Sequence, residues 1–156
     1  MTTRRRLFAT ASAAFAVAAL TACEKPAPLV TVVNAGRSVY SEANTYCFEE
    51  QSFEAADCAK RKSGETELAV VSGEPVGVDV GKELVEGQWF IELSDPSSPE
   101  GQAQPQQSQP QTGHYFKFTA PSLPEGGSML LTVRSLEGER PTGVWTFRLV
   151  PRGGAA

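Results

Sequence analysis

Residues 144–150 read Val-Trp-Thr-Phe-Arg-Leu-Val, and this stretch decides which fold the sequence predicts. Large apolar side chains alternate with polar ones: Trp145, Phe147 and Leu149 share one face, and Thr146 and Arg148 the other. Successive side chains of a β-strand point to opposite faces of the sheet. The period of two therefore predicts a strand with one buried face.

The same alternation recurs upstream and builds the rest of the predicted fold. Alternating strands are predicted at 76–80, 88–93, 115–119 and 129–134, and shorter β-rich runs at 29–33, 37–40, 45–48 and 67–71. The predicted inward side chains include Trp89, Ile91, Leu93, Phe116, Phe118, Met129, Leu131 and Val133. Gly- and Pro-containing turns separate the runs, and no long helical pattern lies between them. The sequence therefore predicts an all-β, immunoglobulin-like β-sandwich of short antiparallel strands over residues 29–150.

Three segments depart from this pattern. Residues 94–113 hold six Gln and four Pro and no apolar residue larger than Ala, which predicts a mobile Gln/Pro-rich loop, more plausibly a tolerated insertion than a binding loop. Residues 49–62 are the one plausible helical patch, and residues 151–156 are predicted to be a flexible tail.

The N-terminus carries an export signal. Arg4, Arg5 and Arg6 precede 14 uncharged residues (7–20) that are too few for a spanning helix, which needs roughly 20. Leu20-Thr21-Ala22-Cys23 then fits the lipobox of bacterial lipoproteins. We expect cleavage between Ala22 and Cys23, so that 1–22 is the signal peptide. The alternative is an ordinary secretory signal followed by a coincidental cysteine.

The predicted anchor is a diacylglyceryl group on the thiol of Cys23, with acyl chains such as palmitate. One acyl chain binds a membrane only reversibly, whereas two hold a protein stably. Residues 23–28 would form a short lipidated tether on the outer face of the cytoplasmic membrane. Both the twin-arginine and the general secretory route suit this signal.

The net charge of the chain after cleavage argues against some classes of partner. Removal of 1–22 leaves 134 residues with 11 basic against 18 acidic side chains, a net charge of −7. An acidic protein is repelled by nucleic acid and by anionic lipid. We therefore expect no nucleic-acid partner, and the lipid on Cys23 rather than surface charge as the membrane contact.

Cys47 and Cys58 remain once Cys23 is lipidated, and in an exported domain two thiols most simply form a disulfide. A disulfide that closes this loop would stabilise the fold by about 2.8 kcal/mol, because it lowers the entropy of the unfolded chain. A redox pair or a metal site is the alternative, but neither Cys-x-x-Cys spacing nor further clustered Cys or His is present.

The order of motifs along the chain resembles a known family. Cys-Glu-Lys-Pro-Ala-Pro at 23–28 leads to the Tyr-Cys…Cys pair, then to Glu-Pro-Val-Gly-Val-Asp-Val at 74–80. Tyr-Phe-Lys-Phe at 115–118, Leu-Thr-Val-Arg at 131–134 and Gly-Val-Trp-Thr-Phe-Arg-Leu-Val at 143–150 follow. The whole resembles an uncharacterised family of small actinobacterial lipoproteins, a domain of unknown function. The resemblance implies export, a lipid anchor and a β-rich domain, and it implies no catalytic residues.

Candidate chemistry is sparse. His114 is the only histidine and has no partner motif, so an exposed strand end explains it better than a base or ligand. Four acids cluster between the cysteines, at Glu49, Glu50, Glu54 and Asp57, where a solvated face is the simpler explanation. Hydrolase, zinc-protease and EF-hand motifs are absent from the sequence. We predict no catalytic residue, cofactor or metal site.

Two functions remain as expectations. The first is a non-enzymatic binding or accessory module that contacts another envelope protein or a cell-wall component. The second is an envelope hydrolase that uses dispersed carboxylates or a serine. A binding module should present an exposed patch or an open sheet edge, and an enzyme a concave pocket with converging polar groups.

Overall fold

The computed structural model describes residues 26–48, 58–60, 65–98 and 105–152, and within these ranges the chain is an all-β sandwich of two sheets. The strands are β1 (Leu29–Asn34), β2 (Arg37–Glu42), β3 (Thr45–Tyr46), β4 (Ala59–Lys60), β5 (Thr66–Val70), β6 (Pro75–Val80), β7 (Gln88–Ser94), β8 (Gln106–Gln107), β9 (Tyr115–Thr119), β10 (Met129–Glu137) and β11 (Arg140–Pro151). One short helix, α1 (Lys82–Val85), joins β6 to β7. The predicted fold class is confirmed. None of the described helical residues forms a helix long and apolar enough to cross a membrane.

The first sheet has four antiparallel strands in the order β2-β1-β6-β9. β1 and β2 form a hairpin whose two linking residues both have positive φ, 46° at Ala35 and 76° at Gly36. A two-residue turn of that kind matches the twist of paired strands. The Gly-containing turn that the sequence predicts between the runs at 29–33 and 37–40 is therefore confirmed.

The second sheet runs in the order β4-β3-β11-β10-β7-β8. Its centre is the long β10–β11 hairpin, with a bulge between Ser135 and Leu136. On the side of β11 away from β10, β3 pairs with the first part of the strand and β5 with the last part. β5 runs parallel to β11. That parallel pair departs from the purely antiparallel arrangement that the sequence predicts.

The core lies between the sheets and includes the side chains that alternation marked as inward. Trp89, Trp145, Phe147, Leu131, Val133, Leu149 and Ile91 are buried, and Leu93, Phe116, Phe118 and Met129 pack partly buried against them. At about 25 cal/mol per Å² of apolar surface removed from water, these side chains supply most of the stabilisation. Phe90 lies on the opposite face, yet it is only 8% exposed. Its cross-strand neighbour on that face is Arg134, whose Nε lies 2.6 Å from Oε2 of Glu92. The Arg134 side chain therefore lies beside the Phe90 ring.

The described part of residues 94–113 is not a loop throughout, which corrects the prediction. β8 pairs with the edge of β7, the Ser108 N–H donates to the Ile91 carbonyl at 2.9 Å, and Gln111 and Trp89 exchange two backbone bonds at 2.6 and 3.1 Å. Pairing with an edge strand satisfies backbone groups and needs no apolar side chain. A polar segment can therefore extend a sheet without joining the core.

The predicted boundaries also shift at three places. Ala59–Lys60 in the predicted helical patch pairs with β3 as a strand directly after the disulfide residue Cys58, and residues 49–57 and 61–62 of that patch lie outside the described residues. Pro151 ends β11, and the Arg152 N–H donates to the Val70 carbonyl at 2.8 Å, so these two residues of the predicted tail are held to the sandwich. Residues 153–156 lie outside the described residues. Within the predicted tether, Ala27 packs against the core.

Candidate functional site

The predicted signal peptide and lipidation site lie outside the described residues: this applies to 1–22, Ala22 and Cys23. The first described residues are nevertheless informative, because the indole N–H of Trp145 donates to the Pro28 carbonyl at 2.9 Å. The chain is thus held to the sandwich five residues after Cys23. Five residues span at most about 17 Å.

Cys47 and Cys58 form a disulfide with their Cα atoms 4.5 Å apart, and both are buried. The bond holds β4 beside β3, where Thr45 pairs with Lys60 and Tyr46 with Ala59. Their predicted pairing agrees with the structure.

The other candidates from the sequence do not assemble into a site. His114 is exposed at the start of β9, with Nδ1 3.1 Å from the Val80 carbonyl oxygen. Trp89 and Trp145 are fully buried and donate their indole N–H groups to the carbonyls of Gly113 and Pro28. The acidic cluster between the cysteines, Glu49 to Asp57, falls outside the described residues.

A cavity of about 300 Å³ opens at the end of the sandwich next to the disulfide. It is lined by Tyr46, Phe48 and Cys47, by Glu83, Leu84, Glu86 and Gly87 around α1, and by Ser135, Leu136, Glu137 and Thr142 of the β10–β11 hairpin. Burial, and then the charges of Glu83, Glu137 and Glu86, raise the pKa of the Tyr46 hydroxyl. The phenol therefore remains a hydrogen-bond donor in a region of negative potential.

Two of the three carboxylates of this cavity are open to water, and the third, Glu83, is half-buried. Glu86 is exposed, and the side chain of Glu137 is 66% exposed and forms an ion pair with Arg140. In the described ranges, no three His, Cys, Asp or Glu side chains are placed to hold a metal ion.

The outer face of the four-stranded sheet carries exposed apolar side chains. Among the described residues, the exposed large hydrophobic side chains are Tyr40 (71%), Tyr115 (53%) and Leu29 (49%), and all three lie on this face. We call it the tyrosine face; it is formed by Leu29, Thr31, Val33, Ser38, Tyr40, Glu42, Gly77, Asp79, Tyr115 and Lys117. Exposed apolar side chains that share one face make that face a candidate for contact with another molecule, whereas scattered single apolar residues need no explanation.

The two tyrosines lie in one cross-strand row. Tyr40 is directly opposite Thr31, Thr31 is opposite Asp79, and Asp79 is opposite Tyr115. Three strand spacings separate the tyrosine Cα atoms, or about 14 Å at 4.7–4.9 Å each. The two tyrosines therefore belong to the two edge strands, and Thr31 and Asp79 lie between them in the row.

Gly77 explains where the Tyr115 ring lies. Cε2 and Cζ of the ring are 2.7 Å from the position that a Cβ on residue 77 would occupy. The phenol thus crosses the backbone of the neighbouring strand, in the space that a side chain would fill. In the next row, Gly77 lies between Val33 and Lys117.

Tyr115 and Lys117 alternate with the predicted inward residues of the same strand, but nothing in the sequence groups them with Tyr40. The two outward tyrosines are 75 positions apart, and only the strand order β2-β1-β6-β9 places them on one surface. The available signal was local: Tyr40 lies in a strand whose outward positions are otherwise polar.

Comparison with known proteins yields no matching family model, no matching curated protein and no matching solved structure. The resemblance to small actinobacterial lipoproteins therefore stays a prediction. The candidate site rests on the geometry alone.

Proposed function

We propose that this protein is an exported, lipid-anchored cell-envelope protein that acts as a non-enzymatic binding module through its tyrosine face. The observation that supports the proposal is the collection of Tyr40, Tyr115 and Leu29 on one outer sheet face. Exposed tyrosines contribute large contact area at low cost in side-chain entropy. A lipid on Cys23 and the short tether would hold this face beside the membrane.

The anchor is tested by Cys23→Ala in the full-length chain. We expect the wild-type protein to stay with membranes after a carbonate wash and the variant to leave them, because the thiol is the only attachment point for the lipid. Membrane association of the variant after the wash would contradict a lipid anchor.

The binding face is tested by photocrosslinking in intact cells. A photoreactive amino acid replaces Tyr40, and the control replaces Glu67, which is exposed on β5 of the other sheet. We expect an adduct from position 40 and none from position 67. Equal labelling at the two positions, or no adduct at position 40, would contradict the proposal.

The cavity beside the disulfide favours a second candidate, an envelope hydrolase that uses Glu83, Glu86 or Glu137. Its test is product release from purified cell walls by the wild-type protein and by Glu83→Gln. We expect no release from either. Release that Glu83→Gln abolishes would replace the binding proposal with the enzymatic one.

A further inference from the structure

We propose that the cavity beside the Cys47–Cys58 disulfide binds a small alkylammonium ion. This site is separate from the tyrosine face, because its lining comes from β3, α1 and the β10–β11 hairpin rather than from the outer face of the four-stranded sheet. The size of the cavity, its charge and its aromatic lining each favour such a ligand.

The cavity has room for a small molecule. Its volume of about 300 Å³ lies at the lower end of the range for ligand pockets in proteins. At about 30 Å³ for each water molecule in the liquid, this space corresponds to about ten waters. A compound of a few carbon atoms therefore fits within it.

The charge of the lining selects a cation. Among the described residues that line the cavity, the charged ones are Glu83, Glu86 and Glu137. Arg140 is not part of the lining but pairs with Glu137 and offsets its charge, so that the excess comes from Glu83 and Glu86. Burial, and then the charges of all three carboxylates, raise the pKa of the Tyr46 hydroxyl, so the three act on one region of the cavity. A cation is therefore attracted there and an anion repelled.

The arrangement of the carboxylates favours an organic cation over a metal ion. Calcium and magnesium need several oxygen ligands in direct contact with the ion. Within the part of the chain that the structure describes, no three His, Cys, Asp or Glu side chains are placed to provide such contacts. An alkylammonium ion carries the same sign of charge on a larger group and is attracted without close coordination.

The aromatic and apolar lining suits the alkyl part of that ion. Tyr46 and Phe48 line the cavity, with ring centroids 4.9 Å apart and ring planes at 76°. The face of an aromatic ring attracts an organic cation that lies within about 6 Å of the centroid. Leu84 and Leu136 add apolar surface. Cys47 lies between the two aromatic residues in the chain, so the disulfide restrains both and less ordering is needed on binding.

The test is isothermal titration calorimetry of the full mature chain with Cys23→Ser, which carries no acyl chains. The probes are choline and pentylamine, and their neutral counterparts, dimethylbutanol and pentanol, are the matched controls. We expect at least one of the two cations to bind about tenfold more tightly than its neutral counterpart. Equal binding of cation and counterpart, or binding of neither cation, overturns the inference.

Variants locate the contact. Glu83→Gln and Glu86→Gln should each weaken cation binding about threefold, because each removes a negative charge from the lining. Phe48→Leu should weaken it about fivefold, whereas Tyr46→Phe keeps its ring and should bind like the wild type. Glu67→Gln on β5 is the matched control and should leave binding unchanged. The two Glu→Gln variants test the site even if Phe48→Leu fails to fold, and cation binding that neither of them weakens overturns the inference.

Inorganic salts distinguish an ammonium site from a general cation site. When calcium chloride replaces sodium chloride at constant ionic strength, we expect the affinity for choline to change by less than about twofold. Displacement of choline by calcium overturns the organic assignment. Failure of the cation test leaves the proposed function standing, since the tyrosine face is a separate surface.

Discussion

Asn34 connects two strands at the end of β1 through a single buried side chain. Its Nδ2 donates to the Pro75 carbonyl at 3.0 Å, and its Oδ1 accepts from the Val71 N–H at 2.8 Å. The residue is 2% exposed, so water cannot replace either bond. An apolar residue here would leave two backbone groups unpaired.

We therefore expect Asn34→Ala to lower the free energy of unfolding by about 2–4 kcal/mol, from two groups at about 1–3 kcal/mol each. The measurement is the urea midpoint at constant slope. Ser38→Ala, at an exposed position of the adjacent strand, is the control and should change stability by less than about 0.5 kcal/mol. A loss for Asn34→Ala no larger than for the control would show that the two bonds contribute little.

The raised pKa of the Tyr46 hydroxyl makes the stability of the fold depend on pH. Burial first, and then the carboxylates of Glu83, Glu137 and Glu86, raise the pKa of its hydroxyl in the folded chain. The stability that depends on this group is complete below the unfolded tyrosine pKa of about 10 and is lost as pH rises through the folded value. Ionisation of Tyr46 should therefore leave the free energy of unfolding unchanged near neutral pH and lower it as the pH rises above about 10.

The measurement is urea unfolding at several pH values above about 10. Tyr46→Phe has no hydroxyl to ionise, so its stability should fall less steeply than that of the wild type. Glu83→Gln should give an intermediate slope, since a neutral amide does not repel the phenolate. Identical slopes for the wild type and Tyr46→Phe would refute the assignment.

At the scale of elements, β3 and β4 consist of two residues each and depend on the disulfide next to them. Replacing both Cys47 and Cys58 by Ala should cost about 3 kcal/mol, because the reference unfolded chain regains the entropy of an open loop. The measurement is the urea midpoint of the double variant beside the oxidised and the reduced wild type. The reduced wild type should match the variant.

The free thiols provide an independent check. Intact protein alkylated without reductant should keep its mass, and two alkyl groups should appear only after reduction. Two alkylated thiols without reductant, or an unchanged midpoint in the double variant, would rule out a stabilising disulfide.

β8 shows how an element can form without a pattern in its own sequence. Gln106 and Gln107 pair with Leu93 and Glu92, and the Ser108 hydroxyl accepts the Ile91 N–H at 3.1 Å. Earlier in the same segment, two hydrogen bonds from Ser97 lower the pKa of Asp95. Backbone and side-chain hydrogen bonds thus order a segment that hydrophobic periodicity cannot identify.

At the scale of the molecule, two tryptophans connect distant parts of the chain. Trp145 donates to the Pro28 carbonyl, 117 positions away, and joins the second sheet to the chain that enters the first. Trp89 makes the matching contact to the Gly113 carbonyl, ahead of β9. Both indoles are fully buried.

Trp145→Phe and Trp89→Phe are therefore matched variants that should each cost about 1–3 kcal/mol through lost volume and one lost hydrogen bond. Their local effects should differ. Hydrogen exchange should speed up near Pro28 in the first variant and near Gly113 in the second. If both variants loosen the same segment, the two contacts do not act locally.

Local sequence determined the longer strands and which of their side chains face the core. Alternation correctly predicts the burial of Trp145, Phe147 and Leu149, and likewise that of Trp89 and Ile91. It does so because strand periodicity is a property of neighbouring residues. The positive-φ turn after Asn34 was equally local.

Only the tertiary structure decided which strands are neighbours. Tyr40 and Tyr115 share a face, and β5 lies parallel to β11, because the burial of two apolar sheet faces against each other selects one strand order. The longer strands could be recognised alone, but their partners depend on contacts between residues far apart in the chain. The candidate binding face exists only through that order, since no single strand carries both tyrosines.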